Sequence, residues 1–124
     1  MLMCKMVPLK DGRCVAEIKL KHILNIAEQA KNCPNISRIM LFGSALEERC
    51  TEHSDIDIAV FGEKSKRTYL LSDEFRDFHK RLYQYDWDQD YDVLYFEGKK
   101  KYTERIMDDI EKGIELYRRH GHGA

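Results

Sequence analysis

Residues 41–60 read LFGSALEERCTEHSDIDIAV. The stretch grows out of a short apolar run, Arg38–Phe42 (RIMLF), which predicts a buried strand. Gly43 stops that run and, with Ser44, makes a small-residue turn. Ala45–Arg49 holds good helix formers and predicts one or two helical turns. Asp55–Phe61 (DIDIAVF) alternates at first and then becomes wholly apolar, which predicts a strand exposed at its start and buried at its end. Side chains alternate along a strand, so Asp55 and Asp57 share one face and Ile56 and Ile58 the other.

Two carboxylates ~7 Å apart along a strand can converge on a cation cluster. Without a cation they repel and raise one another's pKa. Magnesium suits the position: it takes oxygen ligands, keeps several waters, and is shared between one or two carboxylates and substrate phosphates. Gly43 lets the backbone come close to a bulky anion. The N–H groups opening the next helix then point at phosphate oxygens, and the Ser44 hydroxyl adds a donor. Tyr91–Phe96 (YDVLYF) predicts a third strand with Asp92 near its start. If it lies beside Asp55–Phe61, Asp92 completes a carboxylate triad. Its role would then be to hold a second metal and to help deprotonate an attacking hydroxyl. Two metals ~3.5–4 Å apart clamp the attacking and leaving oxygens of an in-line displacement.

Outward from this stretch, residues 1–13 show no periodicity, and Pro8 and Gly12 predict an irregular lead-in. Val15–Lys31 predicts a helix with Ile23, Ile26, Ala27 and Ala30 on one face, ended by Asn32 and Pro34. Residues 62–67 (GEKSKR) predict a polar loop. A second helix is expected over Ser72–Tyr83, with Ser72 as its N-cap and Phe75, Phe78, His79 and Leu82 at helical spacing. A polar, aromatic loop (YDWDQD) precedes the third strand. A last helix is expected over Thr103–Arg119, with Ile106, Ile110, Ile114 and Tyr117 on one face. Arg118, Arg119 and His120 would then sit where the helix dipole favours cations, and residues 120–124 would fray. The order predicts a mixed α/β fold: a small mixed sheet of about three to four strands with helices packed on it.

The chain of 124 residues predicts a single domain, and 43% hydrophobic residues suffice for one core. A net charge of −1 argues against bulk affinity for nucleic acid or membrane. No apolar run approaches the ~20 residues of a membrane helix, and MLMCKMVPLK lacks the pattern of a signal peptide. Cys4, Cys14, Cys33 and Cys50 are widely spaced and read as free thiols in a reducing cytoplasm. His53 reads as a loop histidine. Tyr83, Tyr85, Trp87 and Tyr91 read as core and loop packing.

The central stretch resembles the signature of the polymerase-β-type nucleotidyltransferase superfamily. That signature is a hydrophobic residue and Gly-Ser, about ten intervening residues, Asp-hydrophobic-Asp-hydrophobic, and a later strand aspartate. Here it is Phe42-Gly43-Ser44, ten residues, Asp55-Ile56-Asp57-Ile58, and Asp92. Size and element order resemble the minimal (MNT-type) branch, over about Val15–Tyr117. The resemblance implies a palm-like fold and transfer of a nucleoside monophosphate, usually AMP from ATP, onto a hydroxyl. Two Mg2+ ions would sit on Asp55, Asp57 and Asp92, and the triphosphate on Gly43 and Ser44. Minimal members are commonly encoded beside a HEPN-domain toxin, and some act as antitoxins by adding AMP to its tyrosine. A protein acceptor, which brings its own surface, fits a chain of this length.

Many minimal members continue the turn as Gly-Ser-Arg-Ala-Arg-Gly, whereas this chain has Ala45-Leu46-Glu47-Glu48. Acidic residues there would repel a triphosphate. On a helix, Arg49 would point nearly opposite Glu47. Lys64, Lys66 and Arg67, or Lys99–Lys101, are the replacement cations expected from sequence. Two further readings stay open: an antitoxin that neutralises its partner by occlusion, and transfer to a small molecule with a homo-oligomer supplying the missing wall.

Overall fold

The computed structural model describes residues 3–119, so the 120–124 tail, with His120, lies outside the described residues. Four strands form the main sheet: β3 (Ile36–Phe42), β4 (Ile56–Gly62), β5 (Tyr91–Glu97) and β6 (Ile114–Arg118). Their order across the sheet is β5-β4-β3-β6. β4 and β5 are parallel, while β3 runs antiparallel to both β4 and β6.

Alternation along the strands gives the sheet two different faces. Ile39, Leu41, Ile56, Ile58, Val60 and Tyr95 form one core with helices α1 (Leu20–Ala30) and α3 (Asp73–Tyr85), through Ile23, Ile26, Phe78 and Leu82. Met40, Phe42, Ala59, Phe61 and Phe96 face the other way, under the short helix α4 (Ile106–Glu111). Asp57 is in phase with Ala59 and Phe61, and Asp92 with Leu94 and Phe96. Both aspartates therefore lie on the α4 side, at the strand starts. Register is held by Ile56 and Ile58, both fully buried. A one-residue slip would bury Asp57 and expose those isoleucines, each worth about 1.5–3 kcal/mol of burial.

Several elements differ from the sequence expectation. The last helix stops at Glu111, and Ile114–Arg118 is the edge strand β6, paired with β3 from Leu41↔Ile114 to Arg38↔Arg118. Gly113 marks the break: a Cβ there would collide with the Leu41 and Ile110 carbonyl oxygens. Arg13 donates to the Gly113 and Lys112 carbonyls, capping the turn from across the molecule. Arg118 thus lies on a strand and Arg119 just after it, not at a helix end.

The lead-in is partly regular, because β1 (Met6–Pro8) pairs antiparallel with β2 (Cys14–Ala16). The first helix is correspondingly shorter than Val15–Lys31: Cys14–Ala16 is strand, Glu17–Lys19 a 3₁₀ turn, and α1 begins at Leu20. Ile18, in the 3₁₀ turn, is 44% exposed. Within the expected 62–67 loop begins a further helix, α2 (Lys66–Leu70), N-capped by Ser65, whose Oγ accepts from Thr68 N. It places Tyr69 fully buried against Tyr95, ring centroids 4.6 Å apart. Ser72 caps α3 as expected, accepting from Phe75 N at 3.2 Å. All four cysteines are unpaired. No helix among the described residues is long and apolar enough to cross a membrane.

Candidate active site

The site starts at the hairpin between β3 and β4. Phe42 pairs with Asp57, so the chain leaves β3 directly beside that aspartate. Gly43 then takes φ +80°, a left-handed conformation that favours glycine. A Cβ on Gly43 would lie 3.1 Å from Asp57 Cγ and closer still to Oδ2. The glycine is therefore required twice, by its backbone angle and by the carboxylate packed against it. The expected helix over Ala45–Arg49 does not form. Gly43–Leu46 is a single 3₁₀ turn, and Glu47 is already extended at φ −125°, ψ 147°. A 3₁₀ turn still leaves its first N–H groups without partners inside the turn.

Parallel pairing places Asp57 opposite Asp92 in register on neighbouring strands, which lie ~4.8 Å apart. Asp55 precedes β4 by one residue and follows the same alternation. Asp55 and Asp92 are exposed, while Asp57 is half-buried between them and Gly43. Burial raises the Asp57 pKa above the ordinary carboxylate value, and the charges of Asp92 and Asp55 raise it further. Repulsion was the cause expected from sequence; partial burial under the turn is the larger one. Among the described residues, no group of three or more His, Cys, Asp or Glu side chains is placed to hold a metal ion. Asp57 and Asp92 stand in register at neighbouring strand starts, with Asp55 just before β4; carboxylates are the hard oxygen donors of an ion that keeps waters and takes phosphate oxygens as further ligands.

Two residues not foreseen from sequence hold this array. Lys19 is 1% exposed. Its Nζ donates to Ser54 O at 2.7 Å, Glu52 O at 3.2 Å and Gln89 Oε1 at 2.6 Å. Gln89, also buried, donates through Nε2 to Ser54 O at 3.1 Å and Asp90 O at 2.7 Å. Ile56 N donates to Asp90 O at 3.0 Å. One ammonium and one carboxamide thereby lock the segment before Asp55 to the segment before Asp92. Burial pulls the Lys19 pKa down, while Cys50, Asp55 and Asp86 act to hold it up. Nothing in the local sequence KLKHIL marks this lysine, because its partners lie 33–70 residues away. Nearby, His22 Nε2 lies 2.8 Å from Asp86 Oδ2, and this contact holds the Asp86 carboxyl below its usual range.

The cations beside the turn are not those expected. Lys64, Lys66 and Arg67 follow β4, and Lys99–Lys101 follow β5, so both groups lie at the far end of the sheet from Asp57 and Asp92. A cavity of about 380 Å³ beside Gly43 is lined instead by Arg49 and Lys112, together with Glu47 and Asp109. Because Glu47 has left the helical conformation, Arg49 does not point away from it: Arg49 Nε is paired with the Glu47 carboxylate. That pair raises the Arg49 pKa. His53 is a loop residue, its side chain 90% exposed. Tyr91 is buried against Tyr83, while Trp87 is 69% exposed.

Comparison with known proteins gives this geometry a context. The family model described as polymerase beta, nucleotidyltransferase, matches residues 24–121. No curated protein is significantly similar in sequence. A chain of a toxin–antitoxin crystal structure, MntA–HepT carrying two Asp→Glu substitutions, aligns with TM-score 0.56 and 19% identity, covering 78% of this chain and 73% of that one. A candidate nucleotidyltransferase from Sulfolobus solfataricus aligns with TM-score 0.43 and 20% identity over 84% of this chain and 90% of its own. The first likeness is one of fold. With the family model spanning the turn, both aspartate strands and the last strand, this chain belongs to the polymerase β-type nucleotidyltransferase family.

Proposed function

We propose that this chain is a magnesium-dependent transferase that moves AMP from ATP to a hydroxyl of a HEPN-domain partner protein, as the antitoxin of a cytoplasmic toxin–antitoxin pair. The observation that carries the reading is the in-register placement of Asp57 beside Asp92, with the Gly43 backbone packed on the Asp57 carboxylate. Family membership supports nucleotide transfer. The fold shared with a toxin–antitoxin chain supports a toxin as partner.

Asp55, Asp57 and Asp92 are the residues that would hold the ions. When bound, magnesium neutralises the triphosphate and the departing pyrophosphate. Gly43 and Ser44 seat the triphosphate, the glycine through close backbone approach and the serine through its hydroxyl. Arg49 and Lys112 line the cavity beside that turn and are the cations in reach of it. The acceptor oxygen forms a bond to the α-phosphorus, and the bond from that phosphorus to the β-bridging oxygen breaks. Pyrophosphate leaves with the electron pair, and the hydroxyl proton passes to Asp92.

The test is incubation of the chain with α-labelled ATP, magnesium and the partner toxin. The partner becomes labelled, and Asp57→Ala lowers the rate more than about 100-fold, the upper range for residues one layer outside a metal site. Labelling by Asp57→Ala at the parental rate would overturn the mechanism. Glu47 and Glu48 beside the turn favour a second reading, neutralisation by occlusion alone. An Asp55→Ala/Asp57→Ala variant separates the two: if it binds the toxin but no longer neutralises it, occlusion is excluded.

A further inference from the structure

The far end of the same sheet face carries a second concave site. A cavity of about 570 Å³ is lined by Arg38, Lys100, Lys101, Arg118 and Arg119, with Glu111 as its one carboxylate. The cations arrive from three separate places: β3, the segment after β5, and β6 with the residue that follows it. Phe61 and Tyr102 supply aromatic wall. The cavity is not the aspartate site, because Phe61 lies four residues beyond Asp57 on β4, ~13 Å along the strand. Helix α4 stands between the two: Asp109 lines the cavity beside Gly43, while Met107 and Glu111 line this one.

We propose that this cavity binds a phosphorylated ligand of nucleotide size, independently of the aspartate end. Five cations against one carboxylate select an anion over a neutral or cationic ligand. Glu63, Glu97 and Glu115 pair with Arg119, Lys100 and Arg118, but none of these three glutamates lines the cavity. The pairs are surface ion pairs, which an arriving phosphate can displace at little expense. Arg38 is the centre of the site. Its guanidinium lies 4.3 Å from the Phe61 ring centroid and meets Glu111 through Nη2 at 3.3 Å. Its Nε is buried and has no hydrogen-bond partner among the described residues. A buried donor left unpaired calls for an acceptor, and a planar guanidinium matches phosphate oxygens in pairs. Tyr102 OH accepts from Glu97 N at 2.9 Å, which leaves its own proton free to donate. The volume lies in the range of small-ligand pockets, and five cations gathered around one hollow rather than strung along a basic stripe argue for a single nucleotide over an extended nucleic acid.

Fluorescence anisotropy of a dye-labelled ADP in EDTA tests this on the full chain. Binding is expected for the parent and, within twofold, for Asp57→Asn. Lys101→Glu/Arg118→Glu, both at exposed positions, is expected to bind at least tenfold more weakly. Arg38→Met, which keeps the packing on Phe61, is expected to lose at least fivefold and decides the matter if the double variant fails to fold. Unchanged affinity in Arg38→Met and in a folded double variant overturns the site, as does parental ADP binding that vanishes in Asp57→Asn. A Glu-rich peptide binding as tightly as ADP overturns the phosphate assignment. Affinity for 5′-phosphorylated oligonucleotides that rises in step with length overturns the nucleotide-sized ligand in favour of nucleic acid.

Discussion

The two ends of the β4–β5 strand pair treat charge in opposite ways. At the strand starts, Asp55, Asp57 and Asp92 stand together, and the backbone at Gly43 presses the middle one into partial burial. At the strand ends, the cations are mostly exposed and most have a glutamate within ion-pair distance. Apart from the buried, unpaired Arg38 Nε, the basic end is inexpensive to maintain, since surface pairs are worth ~0–1 kcal/mol and their loss is tolerated. The acidic end works against folding: like charges are held close, one of them half out of water, and a left-handed glycine and a buried lysine keep them there. Structure that is costly and yet firmly held is where the proposed chemistry would sit.

Gly43→Ala should break this contrast most sharply. It forces a side chain into φ +80° and drives its Cβ into the Asp57 carboxylate, at about 3 kcal/mol of stability. Transfer activity should fall by more than about 100-fold. Chemical denaturation separates the two causes. In an Asp57→Ala background the collision is gone and only the backbone strain remains, so Gly43→Ala should cost about half as much there. An identical cost in both backgrounds would show that the contact with Asp57 is irrelevant.

Lys19→Met comes next. It keeps the stem packed but removes the ammonium that joins Ser54, Glu52 and Gln89. Leaving the buried Gln89 Oε1 without its donor costs about 1–3 kcal/mol. Because the staple joins the lead-ins to Asp55 and Asp92, magnesium affinity should also fall by about tenfold, as for other residues that orient a metal ligand. Titration of the metal-dependent rise in Tm measures it. A loss of stability with unchanged magnesium affinity would reduce Lys19 to a packing role.

What the sequence made legible follows from the range of each interaction. The β3–turn–β4 unit, β5 and α3 were readable because their signals are local: alternation, a Gly-Ser stop, and a Ser72 cap three residues before Phe75. The pairing of Asp57 with Asp92 was readable only as a condition on β5 lying beside β4. β6 was not readable as a strand, because Ile110, Ile114 and Tyr117 also fit a helical face. Gly113, the one local sign of a break, is needed for a close approach to Leu41 that no periodicity reveals. Lys19, Gln89 and the Arg49–Glu47 pair were hidden for the same reason. The first two act across the fold, and the third exists only because the turn is 3₁₀ and ends before Glu47.

The smallest effect isolates the charge itself. Asp57→Asn keeps the shape of the side chain and removes its charge. The native Asp57 pKa is raised, so the folded state binds its proton more tightly than the unfolded chain does. The ionised carboxylate therefore destabilises the fold at pH 7, and this penalty is lost as pH falls through the raised native pKa. Asn at this position should raise the Tm of the metal-free chain by about 2–4 °C at pH 7. The difference should close on acidification, because the parent then carries a neutral acid at the same place. Magnesium should close it from the other side at pH 7, stabilising the parent by binding only its folded state and leaving the variant nearly unchanged. A gap that widens as pH falls, or that magnesium does not narrow, would mean that Asp57 is not the charge this end of the sheet is built to hold.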